Sequence, residues 1–185
     1  VANALQRDFR DAPDADHMRE PWAQAAQKQI QLDFGTFEIL IEDARGRFDV
    51  NALTPVNLAE QRFFAALLKV LDLPEALGAQ ISRIIVQNGP LRHADELRRF
   101  GIADGDLDRL IPFVAAFQTQ NKINLNAADA KVLSALFGST SLAQSLSARR
   151  SAKGFLDSSD FSAFGVILPS LASFTSDSFD IQSVV

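Results

Sequence analysis

Hydrophobic and polar positions along this chain follow two periods, and the change from one to the other divides it. From Thr36 to Glu42, Phe37, Ile39 and Ile41 alternate with Glu38, Leu40 and Glu42, the period of two expected of a strand with one buried face. Asp43-Ala44-Arg45-Gly46 then supplies turn residues, and Phe48 and Val50 resume the alternation. The stretch to Leu53 therefore reads as a hairpin whose Gly46 can take a positive φ. Before it, Ile30, Leu32 and Phe34 alternate with Gln31 and Asp33 and stop at Gly35; Ser178 to Val184 is again strand-like. Between these ends the spacing is helical, as in Phe63, Phe64, Leu67, Leu68 and Leu71, or Val132, Leu133, Leu136 and Phe137. At the start, Val1, Leu5 and Phe9 form one helical stripe, and Trp22, after Pro21, is expected to plug the core. The fold class that follows is α+β: an N-terminal helix and a small antiparallel sheet, with a helical body built before the chain returns.

That body reads as a duplication. Leu77 matches Leu142, Ile81 matches Leu146, Ser82 matches Ser147, and Gly89 matches Gly154. Leu91 then meets Leu156, Asp95 meets Asp160, and Phe100-Gly101-Ile102 meets Phe164-Gly165-Val166. Ahead of each copy, Val56-Asn57-Leu58 corresponds to Ile123-Asn124-Leu125. Repeats of this kind stack to share a core. Asn126 is expected to cap the helix carrying Val132, with Gly138 in a left-handed conformation at its end. Asp104 or Asp106 is expected to cap Leu107 to Phe117, and Pro112 to kink or end it.

Composition and charge narrow the function. The chain has 185 residues, 47 % of them apolar, enough for one domain or a domain with an insertion. Its formal charge is −5, so no net basic field draws nucleic acid, and Arg149, Arg150 and Lys153 form only a local patch read as a solvated face. The absence of cysteine excludes a disulfide framework and thiolate chemistry. No run reaches the ~18 apolar residues of a membrane span. The abrupt start at Val1 reads as a soluble fragment or processed form. His17 and His93 stand in dissimilar settings, and no GxSxG elbow, Walker loop or HExxH pattern occurs, so an enzyme is not expected. Asp104-Gly105-Asp106-Leu107-Asp108 imitates the start of a calcium loop, but Arg109 and Ala115 occupy its sixth and twelfth positions. Asp11, Asp14, Asp16 and Glu20 form a second, weaker calcium candidate, read instead as a solvated acidic loop. No cofactor and no tightly held calcium are expected.

Two resemblances follow. Lys122 to Gly138, then Ala148 to Phe164, resembles the helix-hairpin-helix modules of DNA-binding competence proteins, although Phe137-Gly138-Ser139-Thr140 lacks the Gly-hydrophobic-Gly nest that would hold a phosphate. A nucleic-acid-binding protein is therefore the alternative reading. More of the chain is covered by Glu20-Pro21-Trp22-Ala23, by Gly46-Arg47-Phe48-Asp49-Val50-Asn51-Ala52-Leu53, and by Ile123-Asn124-Leu125-Asn126-Ala127-Ala128. In this order the phrases resemble the K-type minor pseudopilin family of the bacterial type II secretion system, with Asp49 standing where the family often has Asn. The resemblance implies a pilin-like domain over 1–53 and 176–185, with a helical, helix-hairpin-helix or SAM-like insertion over 54–175 holding the two repeats. It also implies a membrane-embedded N-terminal helix absent here, a periplasmic position on the inner membrane, and a place at the pseudopilus tip beside I-type and J-type minor pseudopilins. Val1 and Leu5 are the expected partner-binding residues, and nucleic acid is not an expected partner.

Overall fold

A computed structural model of the chain describes residues 15–26, 30–32, 35–117 and 121–184. A short helix α1 (Pro21–Ala26) leads into β1 (Ile30–Leu32) and β2 (Gly35–Asp43), and the sheet is completed by the distant β7 (Phe179–Val184). The strand order is β1-β2-β7, all antiparallel, with Ile41 opposite Ile181 and Asp43 opposite Phe179. The period of two is realised: Ile41 is buried, while Glu38, Leu40 and Glu42 face solvent. Trp22 lies wholly inside on that buried face with Ala23 and Ile41, its ring edge-on to Phe179 with centroids 4.9 Å apart.

The expected hairpin does not form at Asp43-Gly46. Instead Asp43 accepts the Arg45 N–H at 2.8 Å and starts a 3-10 turn over Ala44–Gly46. Six residues later Asp49 repeats the device, accepting the Asn51 N–H at 3.0 Å ahead of a turn over Val50–Ala52. The two turns carry the chain off the sheet. Phe48 goes into the helical body, 4.9 Å from the Phe63 ring and 5.5 Å from Phe64. β3 (Phe48–Asp49) pairs in parallel with β4 (Val114–Ala115) and not with β2. Gly46 does not take a positive φ. It is glycine because a Cβ there would stand 2.5 Å from the Ala127 carbonyl oxygen.

The helical body holds α2 (Leu58–Val70), α3 (Ala76–Asn88), a 3-10 turn over Ala94–Phe100, and α4 (Asp104–Leu110), which ends as Pro112 enters a further 3-10 turn. After β5 (Ile123–Asn124) come α5 (Ala130–Phe137), α6 (Thr140–Lys153) and α7 (Ser158–Phe164), then β6 (Ala172–Ser173) in parallel with β5. One continuous apolar core runs from Phe48 to Leu171 through both sets of helices, separate from the Trp22 cluster. Gly138 takes φ 64 after α5, as its spacing suggests, but the cap of that helix is Asp129, which accepts the Lys131 N–H at 2.7 Å. Asp104 caps nothing; it is drawn to Arg98, whose guanidinium also takes Asp108.

Candidate functional site

The residues that join the sheet to the helical body form the most heavily built polar region described. Asp43 ends β2, and its Oδ2 accepts Asn124 Nδ2 at 2.8 Å and Ser176 Oγ at 2.6 Å. Burial pushes this carboxyl above its ordinary value, against the pull of those donors and of Arg45. Asn124 also donates to the Asp16 carbonyl at 3.0 Å. Arg45, itself buried, holds Asp177 through Nε at 2.5 Å and lies over the Phe117 ring at 4.4 Å. Asp16 and Glu20 are correspondingly not a solvated loop: both are buried. Glu20 accepts Trp22 Nε1 at 2.9 Å and the His17 N–H at 2.7 Å, because an indole enclosed in apolar side chains needs an acceptor for its one donor. Asp11, Asp14, Val1 and Leu5 lie outside the described residues.

Asn126, expected as a helix cap, has another task. Its Nδ2 donates to the Leu156 carbonyl at 3.1 Å and its Oδ1 accepts the Leu156 N–H at 2.6 Å, as a strand neighbour would. In the other half of the body Asn51 treats Leu91 identically, at 2.9 and 2.8 Å. Each carboxamide is set by the residue two before it, Asp49 through the Asn51 N–H and Asn124 through the Asn126 N–H. Thus Phe48-Asp49-Val50-Asn51 stands to its helices as Ile123-Asn124-Leu125-Asn126 stands to the next set. Asn57 does not share the role; it donates to the Ala52 carbonyl. Sequence spacing placed the match one loop too late, and the signal that would have found it is the shared Asx-apolar-Asn triplet.

The basic patch is occupied from within. Arg149 donates to Asp160 at 2.8 Å, and Lys153 reaches Asp157 at 2.6 Å and Asp160 at 2.8 Å. Arg150 donates through Nη1 to the Leu125 and Ala128 carbonyls, and burial lowers its pKa. His17 stacks on Phe155, and the His93 N–H is taken by Glu96. Among the described residues no group of three or more His, Asp or Glu side chains is placed to share a metal ion, and no helix is long and apolar enough to cross a membrane. The surface does expose apolar side chains, with Val56 and Ile167 at 84 and 91 %. A cleft of about 510 Å³ opens between α2 and α3 over Phe64, Leu68 and Val86.

Comparison with known proteins gives these features a context. Residues 123–181, from β5 into β7, match the family model of the type II secretion system protein K. A curated relative, the type II secretion system protein K of Pseudomonas aeruginosa, is 27 % identical over 195 aligned positions that cover 85 % of this chain; the chain spans 59 % of that relative's length. Among solved structures, the GspK-GspI-GspJ complex of the type 2 secretion system of enterotoxigenic Escherichia coli contains a similar chain. The TM-score is 0.71 at 20 % identity, covering 98 % of this chain and 80 % of the other, which speaks to the fold. The family match over residues 123–181, the curated relative and the common fold thus agree in likening the chain to the type II secretion system protein K.

Proposed function

We propose that the chain is the periplasmic part of a minor pseudopilin, acting structurally at the tip of the type II secretion pseudopilus and not as an enzyme. The observation that carries this reading is the likeness, over nearly the whole chain, to a protein solved in complex with its I and J companions. On this reading the chain meets I-type and J-type minor pseudopilins, primes fibre assembly for protein export, and is held at the inner membrane by a helix N-terminal to it. The division into a pilin-like part (1–53 and 176–185) and a helical insertion (54–175) with two repeated units belongs to the same proposal. A division of this kind is supported by the two separate apolar clusters and by the paired Asn51 and Asn126 contacts, although Phe48 to Leu53 pack with the helices and not with the sheet. Nucleic-acid binding draws no support from the basic patch, whose cations are taken by Asp157, Asp160 and backbone carbonyls.

The test is co-purification of this chain with the I-type and J-type proteins of its own source. The wild-type chain is expected to co-elute with both, and the Val1→Asp/Leu5→Asp variant to lose them while keeping its thermal midpoint, since both residues are proposed to meet partners. A wild-type chain that joins neither protein overturns the functional reading. A double variant that still joins, or that unfolds, overturns the assignment to Val1 and Leu5.

A further inference from the structure

Residues 15–20 lead into α1, yet they are fastened to the distant half of the chain. The Asp16 N–H donates to the Phe174 carbonyl at 2.8 Å, its carbonyl accepts Asn124 Nδ2, and its carboxylate accepts the Ser176 N–H. His17 stacks on Phe155 with ring centroids 4.8 Å apart and planes 20° from parallel. Arg19 donates from Nη1 to the Lys153 carbonyl at 3.3 Å and from Nη2 to the Ser151 carbonyl at 3.1 Å. Those carbonyls end α6, where the helix dipole favours a cation. Gly154, at φ 105, gives the guanidinium its bed, since a Cβ there would come within 2.6 Å of Arg19 Nη1. On the other side Glu20 grips Trp22 and so the sheet. The segment therefore lies across the seam between the sheet and the helices α5 to α7.

We infer that residues 15–20 form a mechanical brace. Tension arriving from the N-terminal side of Ala15 is passed sideways into the α6–β6 region before it reaches β2 and β7. The contacts point in different directions and lie within a few residues, so a pull loads them together. The register of β2 with β7, by contrast, opens one pair at a time when pulled from an end. The biological weight of the brace rests on the proposed function, in which the chain is held at its N-terminal end; the mechanical property does not.

The chain has no cysteine, so thiol handles can be introduced without removing native ones. In one pulling geometry the handles sit at the N-terminus and at Gln144→Cys, on the exposed side of α6; in the other they sit at the C-terminus and at Gln144→Cys. Force-clamp unfolding is compared between the wild type and His17→Ala/Arg19→Ala. The N-terminal geometry is expected to unfold about tenfold faster in the variant, from the loss of the two carbonyl contacts and the stack, and the C-terminal geometry less than about twofold faster. An unchanged rate in the N-terminal geometry, or an equal rise in both, overturns the brace. If the double variant does not fold, Arg19→Lys carries the test, because it keeps the cation and gives up one carbonyl. It should speed unfolding in the N-terminal geometry alone. A chain that shows the brace but fails to join I-type and J-type partners keeps the inference and loses the functional reading.

Discussion

A side-chain amide that binds both polar groups of one peptide acts as a single-residue strand, and Asn126 does this inside the core. Replacing it by alanine leaves the Leu156 N–H and C=O without partners in a buried site. At roughly 1–3 kcal/mol for each of the two orphaned groups, Asn126→Ala should cost about 2–6 kcal/mol, read as a lower urea midpoint at unchanged slope. Asn51→Ala should cost less, because Asn51 is only half-buried and water can replace part of its contact. Asp49 allows a second test. Burial holds its carboxyl above the ordinary value of 3.8, against the Phe117 and Asn51 N–H groups and Arg45. The folded state thus keeps the proton more tightly than the unfolded one, so ionisation costs stability above the folded pKa, and the cost vanishes below the unfolded one. Asp49→Asn retains the accepting Oδ1 and should be more stable than wild type at pH 7, with the gain fading as pH falls toward 4 in thermal melts. At this scale the residue types were legible and their partners were not. Asn126 and Gly46 act on residues 30 and 81 positions away, Leu156 and Ala127, beyond the reach of any local rule.

Elements with their signals close at hand were read well. Trp22 in the core, the alternation of Ile39 to Glu42, and the left-handed Gly138 all rest on neighbours within a turn or a strand pair. The supposed hairpin failed for a physical reason. Asp43 and Asp49 capture the amides two residues on and impose successive 3-10 turns, which alternation alone does not reveal. The start of α7 offers a prediction. Asp157 accepts the Ser159 N–H, and Lys153 is the largest influence holding its carboxyl down to about 2. Asp160 is also lowered: burial pushes it up, but Lys153 and Arg149 outweigh that. Carboxyls depressed in the folded state stabilise it above their unfolded pKa, and that contribution is lost as pH falls from about 4 to 2. Lys153→Met should therefore move the onset of acid unfolding to higher pH, followed by far-ultraviolet circular dichroism. An onset identical to wild type would show that the cation does not hold these groups in solution.

For the whole molecule, the order sheet, helices, sheet was visible because the last strand-like stretch lies so far from the first. What the pattern concealed is that the sheet keeps a small core of its own, with Trp22, Ala23 and Ile41 apart from the larger one. Trp22→Ala should remove about 3–5 kcal/mol from that small cluster. Amide exchange should accelerate in β2 and β7 while the amides of α5 and α6 keep their protection. Equal acceleration everywhere would mean that the seam of Asp43, Asn124 and Ser176 makes the two cores open as one.

The parallel pairs β3–β4 and β5–β6 bring each run of helices back beside its own beginning. Entrance and exit then stand on adjacent strands, about 4.8 Å apart. A loop closed at that gap can grow, shrink or be exchanged without the rest of the molecule registering a change of span, much as a bead is added to a string at a clasp. Lineages could in this way lengthen or trim the body between β3 and β4 while the small sheet stayed the same size.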